Sequence, residues 1–256
     1  MKSQELLEKI IKKEICVIYK ITNLVNNKVY IGSSIRAYKR MKNNHIRNLI
    51  IWTANNRSTH LKVILNNISN TWTSILSAAR NTVNKSPLDK EPSKKFKLNL
   101  LIAEHSPIRK LKIDWTWKGL KSWIATHFSR HSIGTIHFIS TQRNDRTNNN
   151  RDKSPQDTPV NHNCEANAQA IINISRKRLC NQSHKETREA WKSLLETFKE
   201  EEPELYLVCV PECVYRFGCP EMNNCGFFNQ FRNEYKDYDL SDIKKRYEKF
   251  LTYRKK

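Results

Sequence analysis

Between Ile15 and Leu88 the chain carries not one Asp or Glu. A segment of that kind cannot neutralise its own lysines and arginines with internal ion pairs, so they must face water or an anionic partner. Chemistry that needs a carboxylate, as a base or as a ligand to a hard cation, has to come from residues outside it. The imbalance is steepest at the start, where residues 1–60 hold twelve Lys and Arg against three Asp and Glu, a net +9. Residues 61–225 hold 25 against 17, and residues 226–256 hold nine against five, within a total of +21. That density suits a phosphate backbone, although a solvated basic face with no ligand has the same composition.

A length of 256 residues allows one large domain, or a medium domain with an appendage. The five glycines (Gly32, Gly119, Gly134, Gly218, Gly226) are spaced neither as GxGxxG nor as a P-loop. A nucleotide would therefore be held by side chains rather than by a glycine-rich cradle. No apolar run approaches the roughly 20 residues of a membrane span, so no membrane partner is expected. Residues 1–13 include Glu5, Glu8 and several lysines, unlike a secretory signal. Seven cysteines in such a chain point to a reducing compartment, the cytoplasm, with free thiols or a metal site rather than disulfides.

Periodicity supplies the elements. Residues 3–13 read as a short amphipathic helix. Cys16–Thr22 and Lys28–Ser33 read as two strands joined by an Asn-rich turn, a hairpin, followed by a basic helical stretch over about Ile35–Ile51. Leu61–Leu65 reads as a strand and Trp72–Asn84 as a helix. Phe96–Glu104 reads as a helix, Lys110–Thr116 as a strand, and Trp117–Ile133 as a helix. Asn144–Asn163 reads as a long polar loop, Cys164–Leu179 and Thr187–Lys199 as helices, and Leu240–Lys256 as a basic helical tail. The expected class is α/β (α+β).

Three clusters, His127–His131, His137–Arg146 and Asn167–Arg178, mix Arg, His, Asn and Ser with apolar residues, on or beside expected helices. Arginine grips phosphate bidentately, amides read base edges, and a hydroxyl can donate near a reacting carbon. Taken singly, each cluster would equally serve as a cap, an ion-pair partner or a solvated face.

The runs SILSAARNTVNK, FKLNLLIAEHSPIRKLKIDWTWKGLKSWIATHFSRH, HFISTQRNDR and NAQAIINISRKRLCNQ, in that order, resemble a phage- or bacteria-type flavin-dependent thymidylate synthase over residues 61–225. The resemblance implies a synthase domain with a mixed sheet and long helices. It implies FAD held by Arg130, His131, Ser132, Asn167, Gln169 and Asn173. It also implies dUMP held by His127, Arg130, Ser140, Gln142, Arg143 and Arg178, with Arg178 and Ser140 at the reacting base. The implied reaction is reductive methylation of dUMP to dTMP, with methylenetetrahydrofolate as carbon donor and NADPH as reductant. The implied assembly is a homotetramer with shared sites, in a bacterial cytoplasm or a phage-infected host. The chain departs from the family's pattern at Ser132, where a second basic residue is usual, and at His137-Phe138, where Asn-Glu is usual.

Within residues 1–60, Val17-Ile18-Tyr19, then Tyr30-Ile31-Gly32 and Arg40 resemble the start of a GIY-YIG nuclease domain, with Val17 in place of the first Gly. In that family a later Glu binds the metal, and the carboxylate-free stretch offers none. The expectation is a truncated fragment, a remnant or a weak nucleic-acid binder, rather than a nuclease. The rival reading of the whole chain is a nucleic-acid-binding protein acting through residues 1–60. Cys209, Cys213, Cys219 and Cys225 place four thiols in a short stretch and suit either a structural zinc or packed reduced cysteines. Cys164 and Cys180 are expected as packed thiols.

Overall fold

The computed structural model describes the backbone of Val17–Thr22 and Val29–Ser34, and residues 61–147 and 150–254 with their side chains. The chain divides into two compact units, Met1–Thr59 and His60–Lys256. In the first, β1 (Val17–Thr22) and β2 (Val29–Ser34) pair antiparallel, with Tyr19 opposite Gly32 and Ile21 opposite Tyr30. This is the hairpin expected there. The helices expected over residues 3–13 and 35–51 lie outside the described residues.

The second unit holds β3 (Lys62–Ser69), β4 (Lys112–Lys121), β5 (Thr135–Ile139) and β6 (Pro159–Asn167), in the spatial order β3-β4-β6-β5. Where a mixed sheet was expected, each pairing among these strands is antiparallel. Its described helices are α1 (Trp72–Asn81), α2 (Lys94–Ile102), α3 (Ser122–Ser129), α4 (Asn144–Thr147), α5 (Ala168–Arg178), α6 (Lys185–Phe198), α7 (Pro203–Val208), α8 (Glu212–Arg216), α9 (Phe227–Glu234) and α10 (Ile243–Arg254).

Strand β4 organises the core. Its period-two pattern sends Ile113, Trp115 and Trp117 inward, all fully buried, and leaves Lys112, Asp114 and Thr116 on the other face. On β6, His162, Cys164 and Ala166 continue the same inner face. Helix α6 closes over them with Ala190, Trp191, Leu194, Leu195 and Phe198, one apolar stripe at helical spacing. Trp117 stacks on Phe128 with centroids 4.5 Å apart and meets Trp115 edge-on at 5.3 Å. The buried indole N–H groups of Trp117 and Trp191 donate to the Ala190 carbonyl at 3.2 Å and the Ser175 hydroxyl at 2.9 Å. Those bonds offset the desolvation of the two groups.

Several boundaries differ from the periodicity reading. The helix expected from Trp117 is strand as far as Lys121, because Trp117 must stay on the inward side of β4. A bulge between Trp117 and Leu120, with Gly119 at φ +74, then lets the chain turn into α3. The helix expected from Cys164 begins only at Ala168: Asn167 ends β6, and its side-chain oxygen accepts from Ala170 N at 2.9 Å, a helix cap. The last five residues of the expected 144–163 loop, 159–163, belong to β6, a strand flanked on both sides. His137–Ile139, which periodicity assigned to no element, belong to the edge strand β5. In the C-terminal segment, Phe228, Phe231, Tyr247 and Phe250 are buried. Arg246, almost wholly buried, donates to the carbonyls of Val214 and Leu240, each at 2.6 Å. This segment is thereby stitched into the second unit.

Replacing Trp117 with Ala should remove the centre of the aromatic cluster and lower unfolding stability by about 3–5 kcal/mol. Urea titration would measure it, and a change below about 1 kcal/mol would mean that the ring is not the organising contact.

Candidate active site

The last turn of α3, the start of β5, the C-terminal turn of α5 and the first turns of α6 meet at one place. From α3 come His127 and, at the C-cap, Arg130, followed by His131. From α5 comes Arg178. Its Nε donates to His131 Nε2 at 2.9 Å, and a terminal guanidinium nitrogen donates to the His127 carbonyl at 2.7 Å. A guanidinium can only donate, so His131 is the neutral tautomer that carries its proton on Nδ1. His127 Nδ1 lies 3.1 Å from the hydroxyl of Thr187, buried on α6, and Trp123 packs edge-on against both His127 and His184.

The electrostatics are one-sided. Burial lowers the pKa of Arg178, and Arg130 lowers it further. His131 is held down to about 4 by burial and then by Arg178 and His137. His127 is lowered by burial and by Arg178, Arg130 and His184. Each charge acting on these groups is positive. Two arginines with neutral imidazoles and no acid among the groups that shift them form a receptor for an anion, or for a carbonyl gaining negative charge.

Behind this surface lies a second histidine pair. His137 Nε2 sits 2.9 Å from the His131 carbonyl, which also accepts from the Thr135 hydroxyl, and His137 Nδ1 sits 3.0 Å from His162 Nε2. His162 is fully buried, its Nδ1 finds no partner, and burial holds its pKa down to about 4. Gly134 is required here: it has φ +74, and a Cβ would stand 2.6 Å from the Asn167 side-chain nitrogen.

The remaining expected residues fall into two groups. Ser140 directly follows β5, where its Oγ accepts from Asn161 N at 3.0 Å and its hydroxyl proton stays free to point outward. The amide nitrogen of Gln142 is buried without a partner. Arg143 is already held by Asp145 through Nε–Oδ1 at 2.9 Å and a second contact at 2.6 Å, so a phosphate there has to compete with a carboxylate. Ser132 is exposed. On α5, Gln169 and Asn173 join Arg176 and Glu104 in a separate network, with Arg176 bridged to Glu104 and lying 3.5 Å over the Tyr215 ring. Arg178 comes nine residues after Gln169, two and a half helical turns, on the opposite side of α5. One chain therefore does not gather Gln169 and Asn173 with His131 and Arg178.

Sequence reasoning missed His162, Thr187, Trp123, His184 and the Glu104–Arg176 bridge. Only His162 carried a usable signal, as a polar residue on the inward register of an alternating strand. Of the four cysteines open to either zinc or packing, Cys209 is buried, its thiol hydrogen-bonded to Ser175 with Arg254 and Arg176 as its charge neighbours. Cys213 is pushed up to about 12 by burial and by Cys180, Cys219 and Cys225, so its sulfur neighbours include Cys180 rather than Cys209. Cys164 is buried and raised by that burial, as a packed thiol should be.

Residues 15–86 match the family model of the GIY-YIG catalytic domain. The matched span runs past Thr59 through β3 and α1, so LKVIL belongs both to that span and to the sheet of the second unit. No curated protein matches the chain. Solved structures similar to it include thymidylate synthase X (ThyX) from Helicobacter pylori with FAD and dUMP, at 16% identity, covering 59% of this chain and 99% of that one, with a TM-score of 0.49. A UMP/dUMP methylase PolB from Streptomyces cacaoi bound with 5-Br dUMP is similar at 11% identity, covering 58% of this chain and 94% of that one, with a TM-score of 0.48.

The depressed histidines make stability pH-dependent. Between about pH 6.5 and 4 the unfolded chain takes up protons that folded His131 and His162 refuse. Their contribution is thus intact above pH 6.5 and is lost as pH falls through that window. The urea midpoint should be lower at pH 5 than at pH 7, and His162→Gln should flatten the dependence. Equal slopes in variant and parent would exclude His162 as a source.

Proposed function

We propose that residues 61–225 carry out flavin-dependent methylation of dUMP to dTMP. The observation that carries this reading is Arg178, fixed by His131 and the His127 carbonyl within a cluster whose charges are all positive. A uracil ring activated at C5 gains negative charge on its carbonyl oxygens. A guanidinium already clamped through two of its nitrogens stabilises that charge without reorganising first. His131, locked with its proton on Nδ1, offers a second neutral donor. Ser140 donates its free hydroxyl proton at the base, and the unpaired Gln142 amide reads a base edge. The dUMP phosphate falls to Arg130, with Arg143 available once it is released from Asp145.

For FAD the fit is divided. Arg130, His131 and Ser132 suit its diphosphate on the Arg178 side, whereas Gln169 and Asn173 lie on the far side of α5. This division supports a homotetramer in which a flavin is shared between copies. Exposed Ile133, Ile136 and Phe138, on and beside the edge strand β5, supply apolar surface for a neighbouring copy to cover. Asn167 is spent as a helix cap and serves the site by positioning α5. When bound, the flavin supplies hydride chemistry, with NADPH as reductant and methylenetetrahydrofolate as carbon source. A cytoplasmic location suits these co-substrates.

The decisive assay is NADPH- and methylenetetrahydrofolate-dependent release of tritium from C5 of dUMP by the purified chain. Folded protein with neither bound flavin nor release would sink the reading. Arg178→Ala should cut turnover by about a hundredfold or more while leaving flavin absorbance in place. Loss of the flavin instead would move Arg178 out of the role assigned to it.

A second reading is favoured by the GIY-YIG match: nucleic-acid binding by the basic N-terminal region. The matched span, residues 15–86, holds no Asp or Glu, which leaves no carboxylate for a metal within it. Binding without cleavage is the activity proposed. Labelled DNA should be shifted by the full chain, less so as salt rises, and not at all after deletion of residues 1–59. An unchanged shift after that deletion would assign the binding to the second unit.

A further inference from the structure

Four cysteines outside the proposed active site lie where three segments converge. Cys180 follows Leu179, the C-cap of α5, and Cys213 lies on α8, which packs on α5. Cys219 and Cys225 stand near the two ends of the connection from α8 to α9. The Gln182 side chain donates to the Asn223 carbonyl at 2.7 Å and ties the Cys180 turn to the middle of that connection. Phe217 at φ +58, with Gly218 N donating to the Cys213 carbonyl at 3.0 Å, folds the chain back so that Cys219 returns toward Cys213. Cys213 is buried, Cys180 and Cys219 are half-buried, and Cys225 is exposed, so the group runs from the core to water with one open side.

The surroundings favour a cation that the protein itself does not provide. The Lys177–Glu212 bridge sets the end of α5, three residues before Cys180, beside the residue that precedes Cys213 on α8. Of the basic side chains nearest these cysteines on α5 and α8, Lys177 and Arg216 are both engaged by Glu212, at 3.4 and 2.6 Å, and Arg178 donates to His131 and the His127 carbonyl. Four soft sulfur ligands, without a free lysine or arginine among these three to balance them, match what zinc selects.

We propose that Cys180, Cys213, Cys219 and Cys225 bind one structural zinc ion as a tetrathiolate. Cys180 takes the fourth place, and Cys209, bonded to Ser175 in the core, stays outside. Binding releases the four thiol protons to solvent. Among the described residues no three His, Cys, Asp or Glu side chains are already gathered at a metal-sized point, so the proposal requires the connection to close around the ion on binding. Both ends of the connection border open space, since a Cβ built on Gly218 or Gly226 meets nothing within 4 Å. Because Cys180 comes two residues after Arg178, the ion would anchor the end of α5 that presents this guanidinium. The proposal stands whether or not the chain methylates dUMP.

The test is the zinc content, by mass spectrometry, of the full chain made with zinc supplied and purified without a histidine tag. About one zinc per chain is expected. Cys180→Ser and Cys219→Ser should each lose most of it, and Cys209→Ala should keep it, with circular dichroism showing each variant folded. Should the serine variants fail to fold, cobalt exchanged into the parent protein reports directly, through the absorption of tetrahedral thiolate coordination. Folded parent protein without zinc, a Cys219–Cys225 disulfide, cobalt lacking thiolate bands, or Cys209→Ala losing zinc as fully as Cys180→Ser would each overturn the proposal.

Discussion

Trp117 has to lie flat between β4 and the helices above it, and most of the second unit follows from that packing. Its ring stacks on Phe128 of α3, meets Trp115 edge-on and lies beside Trp191 of α6. Its N–H reaches a carbonyl of α6, and Trp191 passes a second hydrogen bond to Ser175 of α5. One group of indoles thereby sets α3, α5 and α6 on the sheet. Those three helices bring His127, Arg178 and Thr187 to one place. Packing of these rings, with the Trp117 and Trp191 donors satisfied, sets the helices, and the hydrogen bonds of Arg178 then fix the candidate site upon them.

Over that apolar floor the polar layer is built from groups that accept a cost. His131 and His162 are kept neutral by burial, and Arg178 sits among positive neighbours without a carboxylate to relieve it. Arrangements of this kind are common where a site awaits a negative ligand, because the ligand supplies the missing charge. Elsewhere the same unit pairs its charges conventionally, as in Arg176 with Glu104, Lys112 with Glu165 and Arg143 with Asp145.

Much of the fold was legible in local pattern. Alternation in KIDWTW, the helical run from Phe96 and the apolar stripe of α6 each correspond to an element of the structure. The misreadings share a cause. Trp117–Lys121 and Cys164–Asn167 are short segments whose apolar spacing suits helix or strand equally. Long-range pairing, invisible to a local window, decided for strand. The residues named for the site were legible as chemistry. That Gln169 and Asn173 face away from Arg178 follows from helical phase, and that Arg143 is taken by Asp145 depends on a local turn.

By itself the sequence determined the charge imbalance, the carboxylate-free stretch of the N-terminal region, the absence of a glycine-rich phosphate cradle and the stock of Arg, His, Asn and Cys available for chemistry. These are properties of composition and order, and no fold can alter them. Tertiary structure alone decided which of those residues meet. It set His137 against a buried His162, held Arg178 on His131, and divided the expected flavin residues across two faces of α5. It also exchanged Cys209 for Cys180 among the neighbours of Cys213. The physical reason is that such neighbourhoods depend on helix phase and strand register, which are fixed by burial of the tryptophan core far away in sequence from the groups it positions.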